Sequence, residues 1–457
     1  MILFVALMIY LVYFNVVEAR KIVNSPYNAR QDNFADRVVR GKITDRNGNV
    51  LAQTLVSEDG SEEREYPYGE LFAHVIGYSS SQFGKTGLES VENFDLLTSN
   101  AFFVEKIKNE FQNQKNIGDT VVTTLDADLQ QAAYDALGDN KGAIFVMEPS
   151  TGKIIVMLSK PAFNPNDVDD IWYVLNSDEE DSPLLNRVTQ GQYSPGSTFK
   201  IVTALGYMRE NTDYNNYSFE CTGAFVHPSF TMNCYKRSGH GLLDFRGSFA
   251  QSCGASFANI ALTLDRTSYR KTAEDLLFNK KLPSVLDYSK SSFTVNENTG
   301  DAELMMTGMG QGNTLASPYH MGLICAAIAN GGTLMEPYLV AKVTNYTGTE
   351  ISNNVPQSYR RLMSTEEAAK LKELMCAVVS EGTAADLNQS NYSVAGKTGT
   401  AEYSLVDGEK MHSWFVGFTN VDNPELVICV TVEGYDGNAN ALAVPIAKQV
   451  LDAYYNR

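Results

Sequence analysis

The stretch QYSPGSTFKIVTALGYM (192–208) places Ser197 three residues before Lys200, where a Pro-Gly loop leads into a predicted helix. Residues i and i+3 lie on the same face of a helix. A serine hydroxyl becomes a nucleophile when a base takes its proton, and a lysine can be that base only if burial or nearby cations lower its pKa. The N–H groups at the start of a helix also favour negative charge beside the serine. Because S-x-x-K fits a capped surface helix as well, the pair alone leaves both interpretations open.

A second candidate group lies in AGKTGTAEYS, where Lys397, Thr398, Gly399 and Thr400 follow one another in a predicted strand. We expect Lys397 to supply a second positive charge that helps keep Lys200 neutral, and the threonine hydroxyls to bind a substrate carboxylate. Gly399 would remove a side chain that stops an extended peptide from lying along the strand. K-T-G also occurs in simple turns, so this group needs support from its surroundings.

The composition is that of a folded protein with more than one domain. The chain has 457 residues, 44% hydrophobic and 20% charged, which is enough for two or three domains with their own cores. Its 36 basic and 54 acidic residues give a net charge of −18. This charge disfavours nucleic acid, or an anionic membrane surface, as the main ligand.

The first 17 residues, MILFVALMIYLVYFNVV, contain no charge and as a helix would just cross a bilayer of about 30 Å. We therefore predict a transmembrane anchor over residues 1–17. A cleaved signal peptide is the alternative, because Val17 and Ala19 suit a cleavage site. Arg20 and Lys21 follow the apolar run, so the positive-inside rule does not favour an extracytoplasmic body, and we expect a short basic cytoplasmic segment before Met1.

Behind the anchor we predict a mixed platform domain over residues 18–138 and a larger domain over residues 139–457. In the platform, RGKITDRNGNVLA predicts a hairpin turned at Asn47-Gly48, and the helical pattern over 125–137 can be closed by Gly138.

The larger domain begins and ends with strand patterns and is mainly helical between them. KGAIFVMEPSTGKIIVMLS predicts two strands, YSVAGKTGTAEYS, HSWFVGFTN and ELVICVTVEG predict three more, and ALAVPIAKQVLDAYYN predicts a final helix. Strands at both ends of a domain with helices between them favour an α+β fold, with one antiparallel sheet built from distant parts of the chain and flanked by helices.

The six cysteines show one unusual pair. Cys325, Cys376 and Cys429 lie in apolar patterns typical of buried positions. Cys221 and Cys234 instead bracket a polar stretch with His227 and His240 nearby, and this spacing fits no common zinc pattern. We therefore favour a disulfide or two free thiols over a metal site.

The combination of motifs is more specific than either motif alone. S-x-x-K followed 200 residues later by K-T-G is a pairing of penicillin-binding proteins and class A β-lactamases. The segments YSPGSTFK, GMGQGNTLASPYHM, AAIANGGTLMEPYLV, EGTA and AGKTGTAE resemble the transpeptidase domain of penicillin-binding proteins. RGKITDRNGNVLA, AHVIGY and GLE resemble the class B, monofunctional, membrane-anchored members, so the resemblance covers nearly the whole chain.

The resemblance implies a D,D-transpeptidase that cross-links peptidoglycan without a cofactor. Ser197 would attack the penultimate D-Ala of a stem peptide, D-Ala would leave, and an amine of a second stem would resolve the acyl-enzyme. The backbone N–H groups of Ser197 and Thr400 would form the oxyanion hole. It also implies acylation by β-lactams, a single-pass anchor in the bacterial cell membrane with the catalytic domain outside the cytoplasm, and a SEDS-type glycosyltransferase as partner.

One motif departs from the family pattern. The family has S-x-N between the other two motifs, and the matching residues here are Ser252, Cys253 and Gly254. Ser252 can still relay a proton between Lys200 and the leaving amine, but Gly254 has no amide to hold the substrate backbone. Asn259 lies five residues on, and helical spacing points it elsewhere. We therefore expect weaker substrate positioning at Gly254, or compensation by another residue.

Five further residues carry weaker signals. Glu274 only loosely resembles the deacylating glutamate of class A β-lactamases and is better explained as an ordinary helix acid. Trp414 fits core packing and His412 a position near the site, while Asn186 and Arg187 fit a structural role bracing the nucleophile loop.

Two alternative functions remain from the sequence. The first is a class D-like β-lactamase or β-lactam sensor, which can also carry S-T-F-K, K-T-G and a Trp-x-x-Gly such as 414–417; the long N-terminal part argues against it. The second is a catalytically impaired scaffold for a glycan polymerase, which the loss of the amide at Gly254 motivates.

Overall fold

The computed structural model describes residues 2–14, 37–112, 114–388, 391–405, 408–436 and 442–457. Contacts group these residues into two compact units. The first comprises Met1–Ala127, Ala162–Leu184 and Leu339–Val355, and the second Asp128–Pro161, Leu185–Tyr338 and Pro356–Arg457. Two segments of the larger predicted domain, Ala162–Leu184 and Leu339–Val355, belong to the first unit. The units are therefore not divided at a single point in the chain, and the boundary between residues 138 and 139 stays a prediction.

A five-stranded antiparallel sheet, here called the catalytic sheet, forms the centre of the second unit. In spatial order its strands are Ile154–Lys160, Gly142–Met147, Val427–Asp436, Gly408–Thr419 and Val394–Leu405. This arrangement confirms the prediction of one sheet assembled from both ends of the domain. The last of these, the K-T-G strand, pairs on one side only, so it is an edge strand among the described residues.

Helices cover both faces of the catalytic sheet. The helix Pro318–Ala329 is buried along its whole length, and a Cβ added to its Gly322 would lie 2.5 Å from the ring of Phe145. The last helix, Ala443–Tyr455, is tied to the other face, where the Ala443 N–H donates to Ser413 Oγ (3.1 Å). Because successive strand residues face opposite sides, these contacts bury both surfaces of the sheet and fix its strand register.

The remaining elements of the second unit are mainly helical. They are the α-helices Ala127–Leu137, Lys200–Glu210, Phe245–Ala250, Gly254–Thr263, Arg266–Asp275, Asp301–Gly308 and Thr365–Ser380, the 3-10 helices Gly196–Phe199, Tyr214–Asn216 and Ala385–Leu387, and three two-stranded ribbons: Ser218–Cys221 with Gly241–Asp244, Ala224–His227 with Phe230–Asn233, and Thr333–Met335 with Ser358–Arg361. The ribbons lie inside the region that we expected to be mainly helical.

The first unit contains a six-stranded sheet that uses distant parts of the chain. In spatial order its strands are Glu350–Asn353, Val340–Thr344, Thr120–Thr123, Ile43–Thr44, Val50–Val56 and Glu62–Glu65. Gly48 at the Asn47-Gly48 turn has a φ of +92°, and the strands on either side pair antiparallel, which confirms the predicted hairpin. The strands Glu350–Asn353 and Val340–Thr344 were not predicted. Their own sequences contain no signal that they pair with a strand of the N-terminal region.

The other elements of the first unit are short. They are the α-helices Ile2–Tyr13, Ala73–Ile76, Gly87–Val91, Asn93–Leu96, Phe103–Phe111 and Val168–Ser177, the 3-10 helices Gly69–Phe72 and Pro165–Asp167, and the strand pairs Val38–Val39 with Asn116–Ile117 and Ser79–Ser80 with Gly84–Lys85.

The predicted anchor is only partly covered by the structure. The helix Ile2–Tyr13 lies within residues 1–17, whereas residues 15–17 and the cleavage position at Ala19 lie outside the described residues. Within the part of the chain that the structure describes, none of the helices has both the length and the apolar character required to cross a membrane.

A buried cluster of charges joins the hairpin of the first unit to its helices. The Glu89 carboxylate accepts hydrogen bonds from Arg40 Nε (2.6 Å) and Arg64 Nε (2.7 Å), and its side chain is 0% exposed. Burial alone would raise the pKa of Glu89, but the charges of the two arginines lower it below its ordinary value. The three buried charges therefore stabilise one another, and removing any one of them would leave an uncompensated charge in the interior.

We predict that Glu89→Gln lowers the free energy of unfolding by about 3 to 5 kcal/mol, because it leaves two guanidinium groups without a counter-charge in a buried site. Urea denaturation followed by circular dichroism measures this change. The matched control is Glu62→Gln, which breaks the half-exposed ion pair with Lys115 (2.7 Å) in the same unit. It should change the stability by less than about 1 kcal/mol. Equal effects of the two substitutions would contradict the prediction.

Candidate active site

Ser197 lies in a 3-10 turn, Gly196–Phe199, that runs directly into the helix Lys200–Glu210. Gly196 has a φ of +53°, and a Cβ there would lie 2.5 Å from the carbonyl oxygen of Thr400. Its N–H donates to the Gly310 carbonyl (2.9 Å). The nucleophile turn is therefore packed between the K-T-G strand and the GMGQG segment, with Ser197 itself partly exposed.

The Ser197–Lys200 pair has the geometry of a nucleophile and its base. Lys200 Nζ lies 3.0 Å from Ser197 Oγ, and it donates to the Ser252 carbonyl (2.7 Å). Its side chain is 1% exposed. Burial lowers the pKa of Lys200 to about 8, against an opposing contribution from nearby cysteine sulfurs. A sizeable fraction of neutral amine is therefore present near neutral pH, as a general base requires.

The hydroxyl of Ser252 connects the two lysines. Its Oγ lies 3.2 Å from Lys200 Nζ and 2.8 Å from Lys397 Nζ, and Lys397 also donates to the Thr398 carbonyl (3.1 Å). Burial first, and the charge of Lys200 second, hold the pKa of Lys397 well below its ordinary value. We expected Lys397 to carry a positive charge that keeps Lys200 neutral. The burial of both amines instead favours one shared proton over two charges.

The turn that carries Ser252 is conformationally strained. Ser252 has a φ of +51°, in the left-handed region that costs a non-glycine residue about 1 to 2 kcal/mol. The next residue, Cys253, is the N-cap of the helix Gly254–Thr263, and its sulfur accepts from the Ser256 N–H (3.4 Å). The surroundings must hold this turn in place, and the bond from Lys200 to the Ser252 carbonyl is one such restraint.

The space where the family pattern has an amide is filled by other groups. A Cβ on Gly254 would lie 3.0 Å from Met309 Sδ and 3.6 Å from the carbonyl oxygen of Asn233. Asn259 does not compensate, because its Nδ2 donates to the Tyr217 hydroxyl (3.2 Å), in line with the expected orientation. The exposed residue Asn233, which the sequence did not single out, lies beside the gap.

The K-T-G strand combines close packing with an open edge. A Cβ on Gly399 would lie 2.9 Å from Thr198 Cγ2 and 3.0 Å from the Pro195 carbonyl. Glycine is therefore required by the nucleophile turn, which is a reason that the sequence interpretation did not include. Thr398 Oγ1 bonds Thr383 Oγ1 (2.6 Å) of the EGTA segment, whereas Thr400 is exposed. Because the strand is an edge, it can pair with an extended peptide.

A buried aromatic and ionic group braces the loop before the nucleophile. Arg187 Nε binds the Glu433 carboxylate (3.0 Å), which also accepts a hydrogen bond from the Tyr193 hydroxyl. The Tyr193 ring packs edge-on against the rings of His412 and Trp414, with centroid distances of 5.2 and 5.9 Å. Trp414 is fully buried, as core packing predicts, and burial lowers the pKa of His412 to about 4, so this imidazole is neutral near neutral pH. Tyr193 was missed; its only signal was its position four residues before Ser197.

Glu274 has the contacts of an ordinary helix acid. It lies near the end of the helix Arg266–Asp275, where its carboxylate pairs with Arg270 (2.9 Å) and Lys280 (3.9 Å).

We predict that acylation of the enzyme by penicillin accelerates roughly tenfold per pH unit below about pH 8 and levels off above it, because only neutral Lys200 can take the serine proton. Stopped-flow acylation with a fluorescent penicillin, from about pH 6 to about pH 10, measures this profile. Circular dichroism over the same range controls for unfolding. A rate that does not change with pH in a folded protein would rule out Lys200 as the base.

We predict that Gly254→Asn alone does not accelerate acylation, because the new side chain must displace Met309. In the background of Met309→Ala, the same substitution should accelerate acylation roughly tenfold, the value of one additional hydrogen bond to the substrate. The Met309→Ala single variant is the matched control. If the double variant reacts no faster than this control, Gly254 does not limit substrate positioning.

Known proteins with similar sequences share both parts of this chain. A family model described as the penicillin binding protein transpeptidase domain matches residues 142–452, and one described as the penicillin binding protein A dimerisation domain matches residues 40–121. The chain is 32% identical over 440 residues to the peptidoglycan D,D-transpeptidase PbpA of Mycobacterium tuberculosis, which covers 91% of this chain and 88% of that protein.

Solved structures of such proteins have the same fold. The D,D-transpeptidase domain of a peptidoglycan glycosyltransferase from Eggerthella lenta aligns with a TM-score of 0.81 and 31% identity, over 92% of this chain and 100% of that chain. The imipenem acyl-enzyme of penicillin-binding protein A from M. tuberculosis aligns with a TM-score of 0.82 and 29% identity, over 93% and 100%. The protein therefore belongs to the penicillin-binding protein transpeptidase family.

Proposed function

We propose that this protein is a serine D,D-transpeptidase that cross-links peptidoglycan stem peptides and is acylated by penicillin at Ser197. The observation that carries the proposal is the position of the Ser197 hydroxyl, 3.0 Å from a buried lysine with a lowered pKa, beside an open sheet edge. The similarity to peptidoglycan D,D-transpeptidases supports the substrate class.

In the acylation step, Lys200 takes the proton of Ser197, and the serine oxygen forms a bond to the carbonyl carbon of the penultimate D-Ala. The carbonyl electron pair moves onto its oxygen. The backbone N–H groups of Ser197 and Thr400 are the proposed donors to this oxyanion, and the packing of Gly196 against Thr400 keeps the two segments together.

Collapse of the tetrahedral intermediate breaks the bond to the terminal D-Ala. The proton held by Lys200 passes through the Ser252 hydroxyl, 3.2 Å away, to the leaving nitrogen. An amine from a second stem then attacks the acyl-enzyme, loses its proton to Lys200, and releases the cross-linked product. Ser197 recovers its proton in that step, so the site returns to its starting state.

Substrate orientation is assigned to the K-T-G strand. The extended stem peptide pairs with its open edge, and the hydroxyls of Thr398 and Thr400 bind the terminal carboxylate, which a penicillin also carries. The hydrogen bond between Thr383 and Thr398 orients one of these hydroxyls.

The two alternative functions are less well supported. A class D-like β-lactamase or sensor does not need the N-terminal part of the chain, whereas residues 40–121 match a penicillin binding protein dimerisation domain. An impaired scaffold would not need two buried lysines, whose desolvation is costly and is justified by catalysis. We therefore expect a long-lived penicilloyl adduct and a functional transpeptidase.

We also propose that the chain is anchored in the bacterial cell membrane by its apolar N-terminal segment, with the catalytic unit outside the cytoplasm. The uncharged helix Ile2–Tyr13 supports anchoring. A SEDS-type glycan polymerase is the proposed partner, on the strength of the family resemblance alone. Protease accessibility on intact spheroplasts, together with co-purification of the polymerase, tests this arrangement.

We predict that Ser197→Ala abolishes both penicilloylation and the exchange of the terminal D-Ala of a synthetic pentapeptide stem for a labelled D-amino acid. Intact-protein mass spectrometry measures the first, and liquid chromatography the second. The wild-type adduct should persist for many minutes. Turnover within seconds would indicate a β-lactamase, and full rescue of depleted cells by Ser197→Ala would indicate a scaffold.

A further inference from the structure

Three cysteines and one histidine converge beside the active site. The ligand atoms of Cys221, Cys234, His240 and Cys253 all lie within 4.8 Å of one another. The three cysteine residues are 0 to 1% exposed and His240 is half-buried. All three cysteines are free thiols.

The spacing of these atoms is that of a tetrahedral zinc site. Zinc bonds of about 2.3 Å to sulfur and about 2.0 Å to nitrogen place two sulfurs about 3.8 Å apart, and a sulfur and a nitrogen about 3.5 Å apart. His240 Nδ1 lies 3.5 Å from Cys221 Sγ and 3.4 Å from Cys234 Sγ, and the sulfurs of Cys234 and Cys253 are 3.9 Å apart. A disulfide would require about 2.05 Å between two of the sulfurs.

The donor set is the one that structural zinc sites use. Three thiolates and one imidazole complete the four-coordinate shell that Zn²⁺ prefers. The other ring nitrogen of His240, Nε2, lies 3.3 Å from the Tyr235 hydroxyl. Such an outer hydrogen bond orients a histidine ligand and leaves Nδ1 facing the metal.

The ligands come from segments that have little else to hold them together. Cys221 ends one ribbon strand and His240 precedes its partner strand, while Cys234 follows the second ribbon. Isolated two-stranded ribbons are marginally stable in water. The apolar cluster that includes the cysteines has two further buried members, Leu243 and Ala255, with the partly buried Phe219 and Phe225 packed against it.

We propose that Cys221, Cys234, His240 and Cys253 bind Zn²⁺, and that the ion positions the strained turn of Ser252 and the Asn233 segment next to Gly254. Cys253 is flanked by Ser252 and Gly254, and Cys234 directly follows Asn233. One ion would thus restrain both sides of the gap left by the missing amide. The metal site is structural, since its four ligands leave no open position for substrate.

The proposal also explains why the sequence interpretation preferred a disulfide or free thiols. Cys221 and Cys234 fit no common zinc spacing by themselves. The remaining ligands are His240, directly before the strand Gly241–Asp244, and Cys253, at the N-cap of the helix Gly254–Thr263. Only the folded chain brings them next to Cys221 and Cys234.

The first experiment measures metal content. Protein purified without chelator should contain about one zinc per chain by plasma mass spectrometry. After removal of the metal, Co²⁺ should give the intense visible bands and thiolate charge-transfer bands of a tetrahedral sulfur-rich site. Cys234→Ser and His240→Ala should lose the metal, His240→Cys should retain it, and the control Cys376→Ser should bind it normally.

The second experiment tests the positioning of Ser252, a role that rests on the proposed function. Acylation by a fluorescent penicillin should be at least tenfold slower in chelator-treated wild-type protein, mainly in the acylation step rather than in initial binding. Added Zn²⁺ should restore the rate. Ser197→Ala should bind the metal normally while forming no adduct, so failure of the catalytic proposal is distinguishable from failure of the metal site.

Three results would overturn the inference. Wild-type protein without zinc, and without tetrahedral cobalt bands after reconstitution, shows that there is no metal site. Loss of free thiols at Cys234 and Cys253 in metal-free protein as isolated shows a disulfide instead. A normal acylation rate in folded, metal-free protein shows that the ion does not position Ser252. Circular dichroism of each sample establishes folding, so an unfolded variant does not decide the matter.

Discussion

The site depends on one constraint, the burial of two lysine amines on either side of the Ser252 hydroxyl. With Nζ atoms 3.2 and 2.8 Å from the same oxygen, Lys200 and Lys397 cannot both hold a full charge at low cost. This constraint lowers the pKa of both amines, so that a fraction of Lys200 is neutral beside Ser197 near neutral pH. It also requires that the catalytic sheet, the helix after the nucleophile and the Ser252 turn all be held within about 0.5 Å of the productive geometry.

Of these three parts, the Ser252 turn is held least by its own local packing and hydrogen bonds. The catalytic sheet is held by its register and by helices on both faces, and the nucleophile turn is packed directly against the K-T-G strand. The Ser252 turn instead has a left-handed residue, and it is followed by a glycine where the family has an amide. The cysteine between them is a ligand of the proposed zinc site. In this chain, substrate positioning and metal binding would therefore depend on neighbouring residues of one motif.

Much of the architecture follows from local patterns. Alternating apolar strands, the Asn-Gly hairpin and the final amphipathic helix depend on neighbours in sequence, and all are found where the patterns predicted them. The strand Val340–Thr344 was not recognised, because it joins a sheet through the strand Thr120–Thr123, which lies more than 200 residues earlier. The packing reason for Gly399 was also not foreseen, since the atoms that exclude a side chain there belong to Pro195 and Thr198.

The sequence by itself determined the chemistry, because S-x-x-K, K-T-G and their flanking segments specify the types and order of the reacting groups. Tertiary structure alone decided how those groups are charged, since the pKa of an amine depends on its burial and on which other charges share its cavity. It likewise decided that Met309 fills the space above Gly254 and that Cys221, Cys234, His240 and Cys253 meet at one point. Such contacts join positions far apart in sequence, and no local pattern contains the distances between them.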